Sequence, residues 1–450
     1  MKKTLIISIL ALLALSGAVC KALPKEVAER TKPVQLTYWR VFDDSDAFNQ
    51  AIIEYNKIHP NVNVSYRKLR FDEFEQKLLD ALAEDRGPDI FSIHNTWMLG
   101  YQSKLLPLPE TLTLPYRTVK GSIRKEVTWT LNTKRATTLR QLESKFVDQV
   151  SEDVVIDEQI YGLPLSMDTL ALYYNKELLN AAGIPEPASD WQTFQEHIKK
   201  LTRQDSEGDI VIAGAALGSA NNVERSSDIL SILMMQNGTK MMDRGRASFD
   251  ITPVELEGRE IPPGMEALIF YTDFASPQKE VYTWNETLPN SLDAFIQGKA
   301  AYFFGYSYHL PVINARAPKM LFGIAKLPQI QGNKEINFAN YWTEVVSKKT
   351  THPDEAWDFV QFITDTENVA KYLEKTKKPT ALRGLIQKQS EDIDLFAFVA
   401  QVLTAESWYK GKNASATETA LREIITDVLQ GTRTLEEALK FGVSKVNQTL

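Results

Sequence analysis

From Val34 to Ile93 the hydrophobic pattern changes period four times, and that alternation leaves few folds open. Val34-Gln35-Leu36-Thr37-Tyr38-Trp39 reads as a strand. Phe48, Ile52, Tyr55 and Ile58 then share one helical face, with Asp43, Asp44 or Ser45 as a cap and His59-Pro60 as a stop. Val62, Val64 and Tyr66 alternate as a second strand. Phe71, Phe74, Leu78, Leu79 and Leu82 mark a second helix that ends at Gly87-Pro88, and Asp89-Ile90-Phe91-Ser92-Ile93 is a third strand. Strands alternating with helices pair in parallel through right-handed crossovers. Such sheets bind ligands outside the carboxyl ends of their strands. Here those ends fall near Trp39-Arg40-Val41-Phe42-Asp43 and His94-Asn95-Thr96-Trp97.

A chain of 450 residues is too long for one core and suits two bodies. The run Ile160–Thr202 supplies a passage between them. Tyr161-Gly162-Leu163-Pro164 is a turn signal, and Leu165–Tyr174 is an apolar strand interrupted by Asp168. A carboxylate in a crossing strand is costly unless something pairs with it. Asn175–Leu179 starts a short helix that stops at Gly183, and Asp190 or Ser189 caps one carrying Trp191, Phe194, Ile198 and Leu201. Further on, strands are predicted at Gly208–Gly218, Lys299–Gly305, Phe322–Leu327 and Phe338–Ser347. Helices are predicted at Ser227–Met235, Pro262–Ala275, Ser291–Gly298 and Pro353–Phe362, with a helix-rich tail. Leu105–Thr118 holds three prolines and reads as an extended surface segment; Lys120–Arg140 is basic and polar and takes no assignment.

A net charge of −7 without a Lys/Arg-dense stripe argues against nucleic acid as a partner. Met1-Lys2-Lys3, an apolar run from Leu5 to Leu15 and small residues form an export signal, with residues 1–22 as the signal and processing region. The only cysteine is Cys20, so no disulfide can form within the chain. Ser16-Gly17-Ala18-Val19-Cys20 resembles the acylation site of bacterial lipoproteins, with Val19 where a small residue is usual; simple cleavage after Ala22 is the alternative. Residues 23–33 are charged and carry Pro24 and Pro33, which suits a tether. The expected location is the bacterial cell envelope, lipid-anchored at the outer face of the cell membrane.

Four motifs, in order, are similar to those of the extracellular solute-binding proteins of ABC importers, the group that includes maltose-binding protein. They are Gly87-Pro88-Asp89-Ile90-Phe91; Tyr161–Pro164 through Asp168–Lys176 with Trp191 beyond; Ala294–Tyr302; and Pro353–Ile363. The resemblance implies a two-lobed periplasmic-binding-protein-like α/β fold of type II, each lobe a mostly parallel sheet flanked by helices, with a ligand cleft between. It implies crossings near Ser166-Met167-Asp168, Gly305-Tyr306 and Asn340-Tyr341-Trp342. Lobe one would be 34–166 plus 306–340, and lobe two 167–305 plus 341–450. It implies a small-molecule solute of carbohydrate class and ABC permease transmembrane subunits as partners, no cofactor or metal, and a monomer.

Aromatic rings cover the apolar face of a sugar; carboxylates, amides and guanidinium groups bond its hydroxyls. The expected cleft edges carry Trp39, Arg40 and Asp44; His94, Asn95 and Trp97; Asp168; Asn222; Trp284; Tyr306 and Tyr308; and Tyr341, Trp342 and Glu344. Arg383 stands where relatives often have an arginine in a Pro-containing loop. Asp43 and Asp44 serve equally well as helix caps, and Trp191 and Trp357 lie on apolar helix faces. Two other functions use the same residues: an exported glycan-active enzyme with Asp168 and Glu344 as a carboxylate pair, and a sensory solute receptor with no permease.

Overall fold

The computed structural model describes residues 24–121 and 126–450. The signal and Cys20 lie outside the described residues. Two separate hydrophobic cores account for the architecture.

The first core is built on a five-stranded sheet in the order Val62–Leu69, Val34–Val41, Ile90–His94, Trp342–Val346, Leu163–Pro164. The first three strands are parallel, as their alternation with helices requires. Trp342–Val346 inserts antiparallel between Ile90–His94 and Leu163–Pro164. Helices Asn49–Ile58, Phe71–Ala83 and Pro353–Ile363 contribute Tyr55, Phe74, Leu78, Leu82, Trp357 and Phe359 to this core. The segment without an assignment is half of a long hairpin, Thr111–Lys120 paired with Glu126–Arg135. Leu112, Leu114 and Pro115 at its base are buried, so the proline-rich stretch is more than surface.

The second core is built on Arg203–Gln204, Ile210–Ala215, Ala300–Gly305, Ala171–Asn175 and Phe322–Ala325, in that order. Only Ile210–Ala215 and Ala300–Gly305 pair in parallel, so the mostly parallel arrangement does not extend to this lobe. Helix Ser226–Gln236 is buried along its whole length, which explains why its apolar residues are not confined to one face.

The expected division between lobes needs correction after Gly305. Residues beyond Gly305 do not cross: helix His309–Arg316 turns the chain back, and Phe322–Ala325 pairs with Ala171–Asn175 in lobe two. Residues 306–338 therefore belong to lobe two. Residues 339–382, assigned by sequence to lobe two from 341 on, complete the lobe-one core. The chain returns to lobe two near Leu395, where Phe398, Leu421, Ile424 and Leu439 are buried.

Candidate functional site: the seam between the lobes

Three short strands join the lobes: Asp168–Thr169, Asn337–Asn340 and Ala405–Glu406. Two coincide with the crossings expected at Ser166–Asp168 and Asn340–Trp342. Asn337 is fully buried there. Its Nδ2 donates to the Leu170 carbonyl at 2.9 Å and to Gln401 Oε1 at 2.7 Å, while its Oδ1 accepts from the Leu170 N–H at 3.0 Å. A side-chain amide thus satisfies backbone groups that the narrow sheet leaves open. Asp168 sits in the same sheet opposite Asn340. Its Oδ2 accepts from the Ser307 N–H at 2.9 Å and Ser307 Oγ at 2.7 Å, and its Oδ1 from the Thr169 N–H at 3.0 Å. Burial pushes its pKa up to about 7, against the pull of those donors.

Lobe one presents an aromatic wall to the seam, at the carboxyl ends of its strands. Trp342 is its centre. Phe74, His94, Trp97, Phe42 and Phe71 all approach its ring, with centroids at 5.9, 5.8, 5.4, 5.7 and 6.3 Å. Phe42 and Phe71 stack at 5.6 Å and are more than half exposed, at 52% and 59%. Phe42 holds φ at 71°, a left-handed backbone that costs a bulky residue about 1–2 kcal/mol. The strain aims an exposed ring beside Trp342. His94 stands behind this wall. Its Nδ1 faces Thr96 Oγ1 at 2.8 Å and its Nε2 faces Asn340 Oδ1 at 2.9 Å. Burial holds its imidazole below the usual pKa, against the bond accepted by Asn340 Oδ1, and Arg225 of lobe two acts with burial. The ring is neutral at pH 7.

Lobe two answers with Tyr306-Ser307-Tyr308, which follow strand Ala300–Gly305. Tyr306 is buried and donates to Asp228 Oδ2 at 2.6 Å; Tyr308 stacks on it at 5.6 Å and is 47% exposed. Arg225, also left-handed at φ 55°, donates twice to Asp228 at 2.8 Å and to Glu418 at 3.2 Å. Lys410 of the lobe-two segment pairs with Asp153 of lobe one across the seam.

The sequence candidates separate into two groups. His94, Trp97, Asp168, Tyr306, Tyr308 and Trp342 are brought to the seam. The others have partners elsewhere. Trp39 lies on the opposite sheet face from the buried Tyr38 and carries the Arg67 guanidinium at 5.0 Å. Arg40 is 3% exposed and pairs with Asp43 at 3.1 Å and Glu344 at 3.3 Å; Glu344, fully buried, also accepts from Tyr38 Oη at 2.7 Å. Burial raises the Glu344 carboxyl, opposed by Arg40 and Tyr38. For Asp43, burial pulls upward but Arg40 and Lys378 hold it below the usual range. Neither Arg40 nor Glu344 has room for a ligand, and Asp44 is an exposed surface partner of Lys68 at 2.9 Å. Asn95 and Tyr341 are buried and both donate to Asp153 Oδ2, at 3.0 and 2.7 Å. Asn222 and Trp284 bind each other: the buried indole donates to Asn222 Oδ1 at 3.0 Å. Arg383 donates to the Phe146 carbonyl at 2.7 Å and pairs with Asp148. Asp168 and Glu344 are engaged by different partners and form no carboxylate pair.

Phe42, Phe71, Arg225 and Glu418 were not among the candidates. Phe71 reads as one more apolar residue of its helix, and no spacing announces the left-handed turns at Phe42 and Arg225.

The fold is shared with solved sugar receptors. A cyclic alpha-maltosyl-1,6-maltose binding protein from Arthrobacter globiformis superposes with a TM-score of 0.71 at 19% identity, over 92% of this chain and 98% of that one. A cyclo/maltodextrin-binding protein complexed with maltotetraose gives 0.70 at 17%, over 93% and 97%. In sequence, a galactooligosaccharide-binding protein of Bacillus subtilis is 22% identical over 391 residues, 85% of this chain and 82% of its own. A maltodextrin-binding protein of the same organism is 24% identical over 316 residues, 68% and 70%. The model of the bacterial extracellular solute-binding proteins matches residues 42–370, from the strained Phe42 through parts of both lobes and two of the three strands that join them, and the chain belongs to that family.

Proposed function

We propose that this protein is the receptor of an ABC-type sugar importer, which closes its two lobes on an oligosaccharide and hands it to permease subunits in the membrane. One observation carries the reading: exposed aromatic rings, Phe42 and Phe71 from lobe one and Tyr308 from lobe two, stand at the seam beside buried ionic networks. Rings offer stacking surface to pyranose faces, and Arg225 and Glu418 offer hydrogen bonds to hydroxyls. Closure by hinge bending suits connections of only two to four paired residues. Acylation at Cys20, an outer-face location and a monomeric state complete the proposal. The relatives whose names specify a ligand bind galactooligosaccharide and maltodextrin. Binding rather than catalysis is favoured because Asp168 and Glu344 are each engaged by internal donors.

A thermal-shift screen of oligosaccharides, followed by calorimetry on the wild type and Trp342→Ala, tests it. The expected result is a sugar that raises the melting temperature, is recovered intact after long incubation, and binds the variant at least about tenfold more weakly, a loss of about 1.4 kcal/mol. Equal affinity for both proteins removes the aromatic wall from the binding site. Released products would favour the enzyme.

A further inference from the structure

The segment ahead of strand Val34–Val41, expected from sequence to be a tether, is folded onto lobe one. Lys25–Arg30 form a helix that packs against both strands of the long hairpin, Thr111–Lys120 and Glu126–Arg135. Its carboxyl end is fastened twice: the Arg30 guanidinium pairs with Asp354 at 2.9 Å, and the Arg30 carbonyl accepts from Asn61 Nδ2 at 3.3 Å. Thr31 and Pro33 then line one surface depression with Arg117 and Trp129 of the hairpin. Cys20 lies five residues before Lys25, a span of at most about 18 Å in a fully extended chain. An acyl group on Cys20 would therefore keep the hairpin close to the bilayer.

The hairpin is charged unlike the rest of the chain. Between Thr111 and Arg135 the sequence has six Lys or Arg and one acid, Glu126, in a protein of net charge −7. Among the described residues of the hairpin only Lys134 has an ion pair, with Asp358. Leu112 and Leu114 bury the base of the hairpin, while Arg117 and Lys120 are exposed toward its other end. Between them Val119 stands directly opposite Val127, and the two are 47% and 44% exposed.

We propose that this end of the hairpin docks on the anionic lipid headgroups of the membrane that carries the anchor. The inference rests on acylation of Cys20 and goes beyond it: the anchor supplies proximity, and the hairpin charge supplies orientation. Lys and Arg side chains are drawn to an anionic surface over about one Debye length, about 10 Å, and the short connection from Cys20 keeps returning them to that layer. The two valines give the charged end an apolar centre that can enter the headgroup boundary. The seam lies at the far end of strand Val34–Val41, eight residues or roughly 25 Å away, so docking leaves lobe closure unobstructed.

The test uses the full-length protein in vesicles of phosphatidylethanolamine and phosphatidylglycerol that contain a lipid with a headgroup nitroxide. Acylation is checked by mass spectrometry. With Cys20 acylated, a cysteine introduced by Thr118→Cys on the hairpin, or by Thr419→Cys on lobe two, is the only free thiol and takes a fluorescent label. The label on the hairpin is expected to be quenched at least about threefold more than the label on lobe two, and the difference to vanish in Arg117→Glu/Lys120→Glu and in phosphatidylcholine vesicles. Equal quenching at the two positions overturns the proposal and leaves the hairpin to an acidic protein partner. So does a difference that survives charge reversal or neutral lipid, which would make the short connection alone responsible for orientation. A protein without an acyl group on Cys20 removes this proposal together with the anchor but leaves sugar binding untouched. Absence of sugar binding with the hairpin quenching intact counts against the receptor reading alone.

Discussion

Phe42 shows how a residue can be poor for the fold and useful to a site. Its left-handed backbone costs about 1–2 kcal/mol, and its stacking on Phe71 and edge-to-face contact with Trp342 return about 0.5–1.5 kcal/mol for each aromatic pair. Phe42→Gly relieves the strain and loses the contacts, so stability in urea should stay within about 1 kcal/mol of the wild type while sugar affinity falls. A strongly destabilised glycine variant would mean that the ring is there for packing. Arg40 is the opposite case. Its guanidinium sits between Asp43 and Glu344 in the lobe-one core. Removing it leaves Glu344 a buried charge with only Tyr38 to bond it, so Arg40→Ala should cost about 3–5 kcal/mol by chemical denaturation. A variant that folds normally but cannot bind sugar would return Arg40 to the site.

Among the elements, the hinge sheet has the clearest pH dependence. The Asp168 carboxyl is raised from its ordinary value to about 7 by burial. A raised acid binds its proton more tightly in the folded protein, so its stabilising contribution is full below about pH 4 and lost as pH rises through about 7. Asp168→Asn has no such titration. The melting temperature of the wild type relative to this variant should therefore fall between pH 4 and pH 7; a flat difference would mean that Asp168 titrates normally. Most elements were legible in the sequence because each has a local cause. Asp190 accepts from the Thr193 N–H at 2.8 Å, the cap expected there, and the short helix expected from Asn175 begins with that residue accepting from the Glu177 N–H at 3.0 Å. The hairpin Thr111–Arg135 was not legible: Val127, Trp129 and Leu131 alternate in its outer strand, but the run is short, lies among basic and polar residues, and buries none of its side chains fully. At the seam, Trp342, Trp97 and His94 stand at strand ends that periodicity can find. Asn222 follows an apolar run in the same way and Trp284 reads as a loop residue, and only the folded structure shows that their polar atoms satisfy each other.

Across the whole molecule, two cores joined by three short strands can pivot, and few ties cross the seam. Addition of a tightly bound sugar should reduce the radius of gyration in X-ray scattering; an unchanged value at saturation would exclude closure as the response. The lobe boundaries were the hardest feature to read from sequence. A strand announces its own length and burial but not its neighbours, and Phe322–Ala325 and Trp342–Val346, both short strands, join different sheets.

That choice of neighbours reaches into biogenesis. Trp342–Val346 sits between strands whose residues precede it by roughly 180 to 250 positions, so the amino-terminal lobe lacks an interior strand until three quarters of the polypeptide has been made. An emerging chain has no finished half to lock into place. A half completed so late leaves the chain longer in a state that a narrow export channel can thread.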